Sequence, residues 1–237
     1  NDEILKSLRR GKKYADILLV GPASLADVSD FEMHRVENPE EYLATLLYKK
    51  EVDGIIRGTV DDFKTYETYE KLSGEKYIVE SGLMEDPSGR QFFLSSMSNL
   101  EGWEKEQRVL FAKTIAELVS MLGVVPKIAV FTGERHETYP RKKHIRDGLV
   151  GMLNKSYEDA EWIVAELQRG GYTAKNWAID LNPAVEDGCN IMIPVNGLVG
   201  NQIFRTMLFC GAKLLACPRL GLSQCYEDNS RTEKDFE

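Results

Sequence analysis

Positive charge is in short supply in this chain of 237 residues: 30 Lys and Arg stand against 38 Asp and Glu, a formal net charge of −8 at pH 7. That balance argues against a surface that tracks nucleic-acid phosphates, though not against a local basic patch for a small anion. No apolar run approaches the length that spans a bilayer, and the amino end (NDEILKSLRRGKKYAD) lacks a signal-peptide core. A cytoplasmic protein without membrane or nucleic-acid partners is therefore expected. The chain opens on Asn rather than Met, so further residues are expected before it. Only four cysteines occur, Cys189, Cys210, Cys217 and Cys225, with no CxxC among them. They read as reduced thiols, partly buried, rather than as a disulfide frame or zinc site. Glycine-rich nucleotide fingerprints are missing too. VGPASLAD, after the first strand, has one Gly, and GxxxxGK[ST] is absent, so neither ATP nor NAD is expected.

What is present is ordinary globular material, 43% hydrophobic and 29% charged, enough for a real core in two modest subdomains. Short apolar runs alternate with helical patterns, which predicts α/β architecture with largely parallel sheets under covering helices. Strands are expected at residues 16–20 (DILLV), 52–56, 127–131 (KIAVF), 190–194 (NIMIP) and, last, 213–217 (KLLAC). The segments 77–84 and 90–97 flank the turn EDPSGR and read as an antiparallel hairpin. Helices are expected over residues 39–50, from Asp61, over 102–122, from a capping-box-like start at Ser156 and Asp159 to Gly170, and over 199–209.

The strongest local signal is TGERHETYPRKKHIRD, residues 132–147, directly after KIAVF. Carboxyl ends of parallel strands open onto the ligand crevice, so Thr132, Gly133 and Arg135 are candidate anion contacts. Pro140 suits a first helical position, which would crowd Arg141, Lys142, Lys143 and His144 into a first turn that is already partly positive. Such a concentration of cations fits phosphate or carboxylate binding, and equally a solvated basic face. Arg57-Gly58-Thr59 ends another strand and offers a guanidinium fork, a close backbone approach and a hydroxyl. If its strand neighbours KIAVF, both groups share one edge. His136 and His144 lack the i, i+4 spacing of a helical zinc site and have Lys142 and Lys143 beside them, so no metal is expected. His34 has no visible partner and reads as structural.

The stretch NIMIPVNGLVGNQIFRTMLFCGAKLLACPRLGL, residues 190–222, resembles the phosphate acetyltransferase and butyryltransferase family. Pro194, Asn196, Gly200, Asn201, Gly211, Ala212 and Pro218 follow that family's order of strand, Asn/Gly turn, helix and Pro-containing segment. GVVPKIAVFTG and VDGIIRGTV resemble further family segments, so the similarity spans roughly residues 50–231 and is most specific from 190 onward. RGTV, ESGLMED and the charged loop after VFTG point to one branch, the archaeal methanogen marker proteins called methyltransferase subunit X. No sulfonium-cofactor glycine loop supports the word methyltransferase.

The resemblance implies an isocitrate/isopropylmalate dehydrogenase-like fold of two subdomains, as in phosphotransacylases. The first would comprise residues 1–73 and 223–237, and the second, residues 74–222, would be inserted into it. It also implies a homodimer, no tightly bound cofactor, and a small anionic substrate such as coenzyme A or an acyl phosphate. Asn196 and Asn201 join the implied binding residues. Ser230, Arg231 and Glu237 fall where the family has a Ser-Arg pair and a carboxylate seven residues on that help to deprotonate the thiol, although Thr232 replaces the family's Gly and Glu its Asp. The family's Ser/Gly-rich loop is replaced here by the basic stretch. Two classes follow: an acyl- or related group transferase, or a non-catalytic anion-binding or accessory subunit of methyl-transfer metabolism.

Overall fold

Short apolar runs alternating with amphipathic helices bury both kinds of surface by layering helices on sheets. The computed structural model, which describes residues 2–228, is built in this way. In chain order the elements begin with α1 (Asp2–Gly11), β1 (Leu18–Gly21), β2 (Glu32–Arg35), α2 (Pro39–Tyr48), β3 (Gly54–Ile56) and α3 (Asp62–Ser73). There follow β4 (Val79–Glu85), β5 (Gln91–Ser95), α4 (Lys105–Met121), β6 (Lys127–Val130), α5 (Tyr139–Lys142) and α6 (Gly148–Arg169). The series ends with β7 (Thr173–Asn176), α7 (Leu181–Glu186), β8 (Ile191–Ile193), α8 (Gly197–Phe209), β9 (Lys213–Ala216), β10 (Arg219–Leu220) and β11 (Cys225–Glu227). Two compact units result: Tyr77–Gly221, and the chain before and after it. Among the described residues no helix is long and apolar enough to cross a membrane.

In the first unit β1 pairs with β2 and β3 with β11, both in parallel, with Ile55 opposite Tyr226. Ala44 and Leu47 from α2, Tyr69 from α3, Ile55 and Tyr226 form its core. The Tyr226 ring meets Tyr66 and Tyr69 edge-on at 6.2 and 6.5 Å, a favoured aromatic geometry. Helix α3 starts where the Asp61 carboxylate accepts the Lys64 N–H at 3.1 Å and stops at Gly74, whose φ of 72° suits glycine. Arg57, at the end of β3, is buried and ion-paired with Asp228 just past β11. Its guanidinium is therefore part of the unit's interior. Beside it, a Cβ on Gly58 would meet nothing within 4 Å, so no close approach within the chain demands glycine there. Thr59 is exposed.

The second unit is one sheet in the order β10-β4-β5-β8-β6-β7, with β9 also paired to β4. Strands β5, β8, β6 and β7 run parallel, whereas β4 is antiparallel to β5, β9 and β10. The expected hairpin is the β4–β5 pair, its turn closed by Asp86, which accepts the Ser88 and Arg90 N–H groups at 2.8 and 3.0 Å. Alternate residues of the central strands face two apolar layers. Ile128, Val130, Ile191, Ile193 and Phe93 pack with Ala112, Ile115 and Ile163 of α4 and α6. Ala129, Phe131, Met192, Phe92 and Leu94 pack with Ala184 and Phe204 of α7 and α8. Each fully buried aliphatic side chain contributes about 1.5–3 kcal/mol.

Three expectations about elements are corrected. Ser156 is not a helix start: α6 begins eight residues earlier at Gly148, and Ser156 lies inside it. Residues 139–146 do not open a long helix, because α5 is a four-residue turn held by Asn154, whose amide donates to the Lys142 and Ile145 carbonyls. Strand β9 is not the last, since β10 and β11 follow it as two- and three-residue strands whose existence depends on distant partners.

Helix α8 sits so close to β5 that a Cβ on Gly200 would lie 2.3 Å from the Ser96 carbonyl oxygen. Gly200→Ala is thus expected to lower unfolding free energy by about 1–3 kcal/mol in urea melts, and an unshifted midpoint would contradict this packing. For the first unit, Arg57→Ala should cost about 3–5 kcal/mol because it strips a buried carboxylate of its cation. Arg57→Met combined with Asp228→Leu should recover most of that loss. A double variant as unstable as the single one would show that the pair is not the cause.

Candidate functional site

Because β5, β8, β6 and β7 are parallel, their carboxyl ends and the turns beyond them share one edge of the second unit, the edge that binds ligands in open α/β sheets. The backbone is strained there. Ser96, buried at the end of β5, has a φ of 53°, and Ala178, just past β7, the same value. Left-handed backbone costs a residue with a side chain about 1–2 kcal/mol, and it persists only where the surroundings enforce it. Gly102, itself at φ 69°, comes so near that a Cβ would lie 2.8 Å from the Ser96 hydroxyl oxygen. Ala178 is fixed by its N–H to the Asn176 side chain and by its carbonyl to the Thr132 N–H, each at 2.8 Å.

The expected binding residues gather on this edge in part. Asn196 caps α8, its side-chain oxygen accepting the Val199 N–H at 3.0 Å, while the Gly197 N–H donates to the Glu101 carbonyl at 2.8 Å. Asn201 donates to the Met97 carbonyl at 2.7 Å. Asn201 and the Gly197 N–H therefore tie α8 to the loop after β5, while Asn196 caps the helix, and the partly positive helix end stays beside β8. Thr132 closes a tight turn with Glu134, accepting its N–H at 3.0 Å and donating to its carbonyl. The Gly133 N–H reaches the Ser156 hydroxyl at 2.9 Å, and a Cβ on Gly133 would crowd a Leu153 methyl at 2.8 Å.

Other expectations fare differently. Strand β3, which carries Arg57, Gly58 and Thr59, pairs only with β11 among the described strands, so it does not neighbour β6. The chain supplies Cys225–Glu227 as its partner, which removes the shared edge with Thr132 and Arg135. Arg135 is exposed, as are Arg141, Lys142, Lys143 and His144, so the cluster lies on the surface. It is pinned by aromatic and ionic contacts: Tyr139 stacks on Tyr157 at 4.1 Å, and His136 meets the Tyr157 hydroxyl at 2.7 Å. Arg146 donates to Glu158 at 2.6 Å and holds that carboxyl below its usual range. His34 does have partners, the Tyr42 hydroxyl at 2.9 Å and Glu32 at 3.2 Å. Ser230, Arg231 and Glu237 lie outside the described residues. Among the described residues no three His, Cys, Asp or Glu side chains gather as a metal site.

Sequence reasoning passed over Arg108. It lies on the same stripe of α4 as Ala112 and Ile115, and a charge on that buried stripe was the available signal. The side chain is fully buried, and its Nη2 faces Asp159 of α6 at 3.5 Å. Its Nε and Nη1 have no hydrogen-bond partner among the described residues, and burial presses the guanidinium pKa down. Helical side chains lean towards the amino end, so Arg108 leans towards the start of α4, which follows the loop from β5. Asp159 is three residues from Ser156, the partner of Gly133. Glu134, in the same turn as Gly133, is also buried, and its Oε2 has no hydrogen-bond partner among the described residues. Buried donors and acceptors of this kind are normally satisfied, so their concentration at the strand ends points to a ligand or ordered water.

Comparison with known proteins agrees with this fold. No family model matches the chain. It is 29% identical over 241 residues to a Methanosarcina mazei protein provisionally named methyltransferase mtx subunit X, covering 100% of this chain and 83% of that one. A Methanosarcina barkeri protein of the same name is 27% identical over 215 residues, 89% of this chain and 76% of its relative. Among solved structures, a branched-chain phosphotransacylase from Enterococcus faecalis superposes with a TM-score of 0.69 at 13% identity, over 98% of this chain and 90% of that one. The EutD phosphotransacetylase from Staphylococcus aureus gives 0.64 at 12% identity, over 98% and 86%. A 4-hydroxythreonine-4-phosphate dehydrogenase from Klebsiella pneumoniae gives 0.58 at 10% identity, over 92% and 76%. The chain is thus similar in sequence to the methanogen proteins named subunit X, and its fold is that of the phosphotransacylases.

Proposed function

We propose that the chain is a group transferase for a small oxyanion substrate, an acyl phosphate or coenzyme A, bound at the strand-end edge of the second unit. The observation that carries this reading is the Arg108 guanidinium, fully buried at the start of α4 with two nitrogens unmatched by any hydrogen bond among the described residues. A carboxylate at 3.5 Å is a loose partner for a buried cation, and an oxyanion would supply the missing acceptors. The amino end of α8, held against the β5 loop, would add its partial positive charge at the same edge. The phosphotransacylase fold supports acyl transfer as the reaction class, and the subunit X relatives support a place in methanogen metabolism. Ser230, Arg231 and Glu237 are proposed to assist thiol deprotonation, with a homodimer as the working assembly.

A second reading, an accessory subunit of methyl-transfer metabolism, is favoured by the relatives' name, which makes each of them a subunit. Calorimetry with orthophosphate, acetyl phosphate and coenzyme A, followed by a thioester-formation assay, separates the two. Arg108→Lys should weaken oxyanion binding about tenfold or more, the effect of about 1.5–3 kcal/mol for one charge-assisted contact, with a circular-dichroism melt confirming the fold. Arg135→Ala should change binding far less, because its exposed charge is screened by salt. Ser230→Ala should suppress thioester formation and spare binding. Wild-type affinity in Arg108→Lys would overturn the site, and binding without thioester formation would favour the accessory reading.

A further inference from the structure

The strand-end edge holds an acceptor in excess as well as donors in excess. In the turn after β6, Gly133, Arg135, His136 and Glu137 are exposed, while Glu134 folds inwards and is only 6% exposed. Its Oε1 accepts the Arg135 N–H at 2.9 Å. Its Oε2 is shielded from solvent and meets no donor among the described residues. The backbone holds it there, since the Thr132 hydroxyl accepts the Glu134 N–H at 3.0 Å and the Gly133 N–H donates to Ser156 at 2.9 Å. With exposed residues on either side of it in the chain, this carboxylate lies just beneath the surface of the turn rather than deep in the core.

One turn of α6 links this acceptor to the donors of Arg108. Ser156 takes the Gly133 N–H, and Asp159, three residues on, faces Arg108 Nη2 at 3.5 Å. Residues at that spacing share a helix face, with Cβ atoms about 5–6 Å apart. The Asp159 oxygen that faces Arg108 also accepts the Lys155 ammonium at 2.6 Å, so it is a divided partner. Glu134 and Arg108 are thus anchored to one helical turn with opposite needs. The first has a carboxylate oxygen without a donor, and the second has Nε and Nη1 without acceptors among the described residues. A plain oxyanion would answer Arg108 alone, and it would sit near a bare carboxylate with like charges poorly screened.

We infer that the ligand of this edge carries an N–H or O–H donor a few bonds from its oxyanion, and that Glu134 is the residue that selects it. The inference rests on the oxyanion reading and narrows it. A phosphate or carboxylate that also bears an amine or hydroxyl answers both needs, whereas a simple acyl phosphate such as acetyl phosphate answers one. An ammonium makes the stronger contact, because both partners are then charged. A site of this kind rejects the analogue without the donor, since the buried acceptor is left unpaired.

Calorimetry on the full chain with three phosphates of one carbon skeleton tests this: ethyl phosphate, 2-hydroxyethyl phosphate and O-phosphoethanolamine. O-phosphoethanolamine should bind about tenfold or more tighter than ethyl phosphate, with the hydroxyl compound between them. Glu134→Gln should erase that order by weakening O-phosphoethanolamine while ethyl phosphate binds at least as tightly as before. A purely structural role would weaken all three alike and would overturn the assignment. If Glu134→Gln does not fold, Glu134→Asp, which draws the same carboxylate back by one methylene, takes its place, and the preference should shrink. Equal affinity for the three in the wild type, or a preference that survives in the variant, would overturn the inference and leave the oxyanion reading standing. No binding of any of the three would end both.

Discussion

Parallel strands that stop at one edge leave backbone groups there without ladder partners, and the second unit is organised around supplying them. The partners come from far along the chain. Asn201 of α8 reaches back across 104 positions to the Met97 carbonyl, and Ser156 of α6 takes the Gly133 N–H from 23 positions away. Because these are side-chain contacts rather than strand pairs, each fixes a helix against the chain just past a strand end. Glycine at 197 and 200 lets α8 approach the chain after β5 to backbone contact. Left-handed Ser96 and Ala178 are consequences of the same close packing. An edge built at this cost in strain is pre-organised, and pre-organisation is what binding of a small charged molecule requires.

Charge placement follows a second constraint. Among the described residues three arginines are buried, Arg57, Arg108 and Arg219, and each faces a carboxylate, Asp228, Asp159 and Glu80. Buried ion pairs are weak contributors to net stability, so their presence is better explained by what they specify. The Arg57 pair joins the ends of β3 and β11, two strands brought together from opposite ends of the chain. The Arg108 pair is long and leaves donors over. The Arg219 pair joins β10 to β4. The basic cluster that dominates the sequence between residues 132 and 147 is by contrast exposed, where water and salt weaken its field.

This contrast explains what could be read from the sequence. Alternating apolar strands and helices and the EDPSGR hairpin are local patterns, and the fold follows from them. The resemblance from residue 190 onward located the α8 turn. Asn196 and Asn201 were legible as important, but the tie of Asn201 to Met97 depends on a contact that no local pattern contains. Arg57 looked like a ligand contact because its partner lies 171 positions on. Arg108 and Glu134 carried no motif. Their meaning comes from burial, which only the place of Arg108 on the apolar stripe of α4 foreshadowed. Strands β10 and β11 were missed for the same reason, being too short to show a period.

The central claim is that the strand-end edge of the second unit is the surface that works on a small anion. Amide hydrogen exchange, read by mass spectrometry with and without saturating coenzyme A or acetyl phosphate, tests it most directly. The account predicts added protection in the loops spanning residues 96–102, 132–138 and 196–201, with the basic turn at 139–146 unchanged. Protection confined to that turn, or bound ligand that leaves all three loops unprotected, would contradict it.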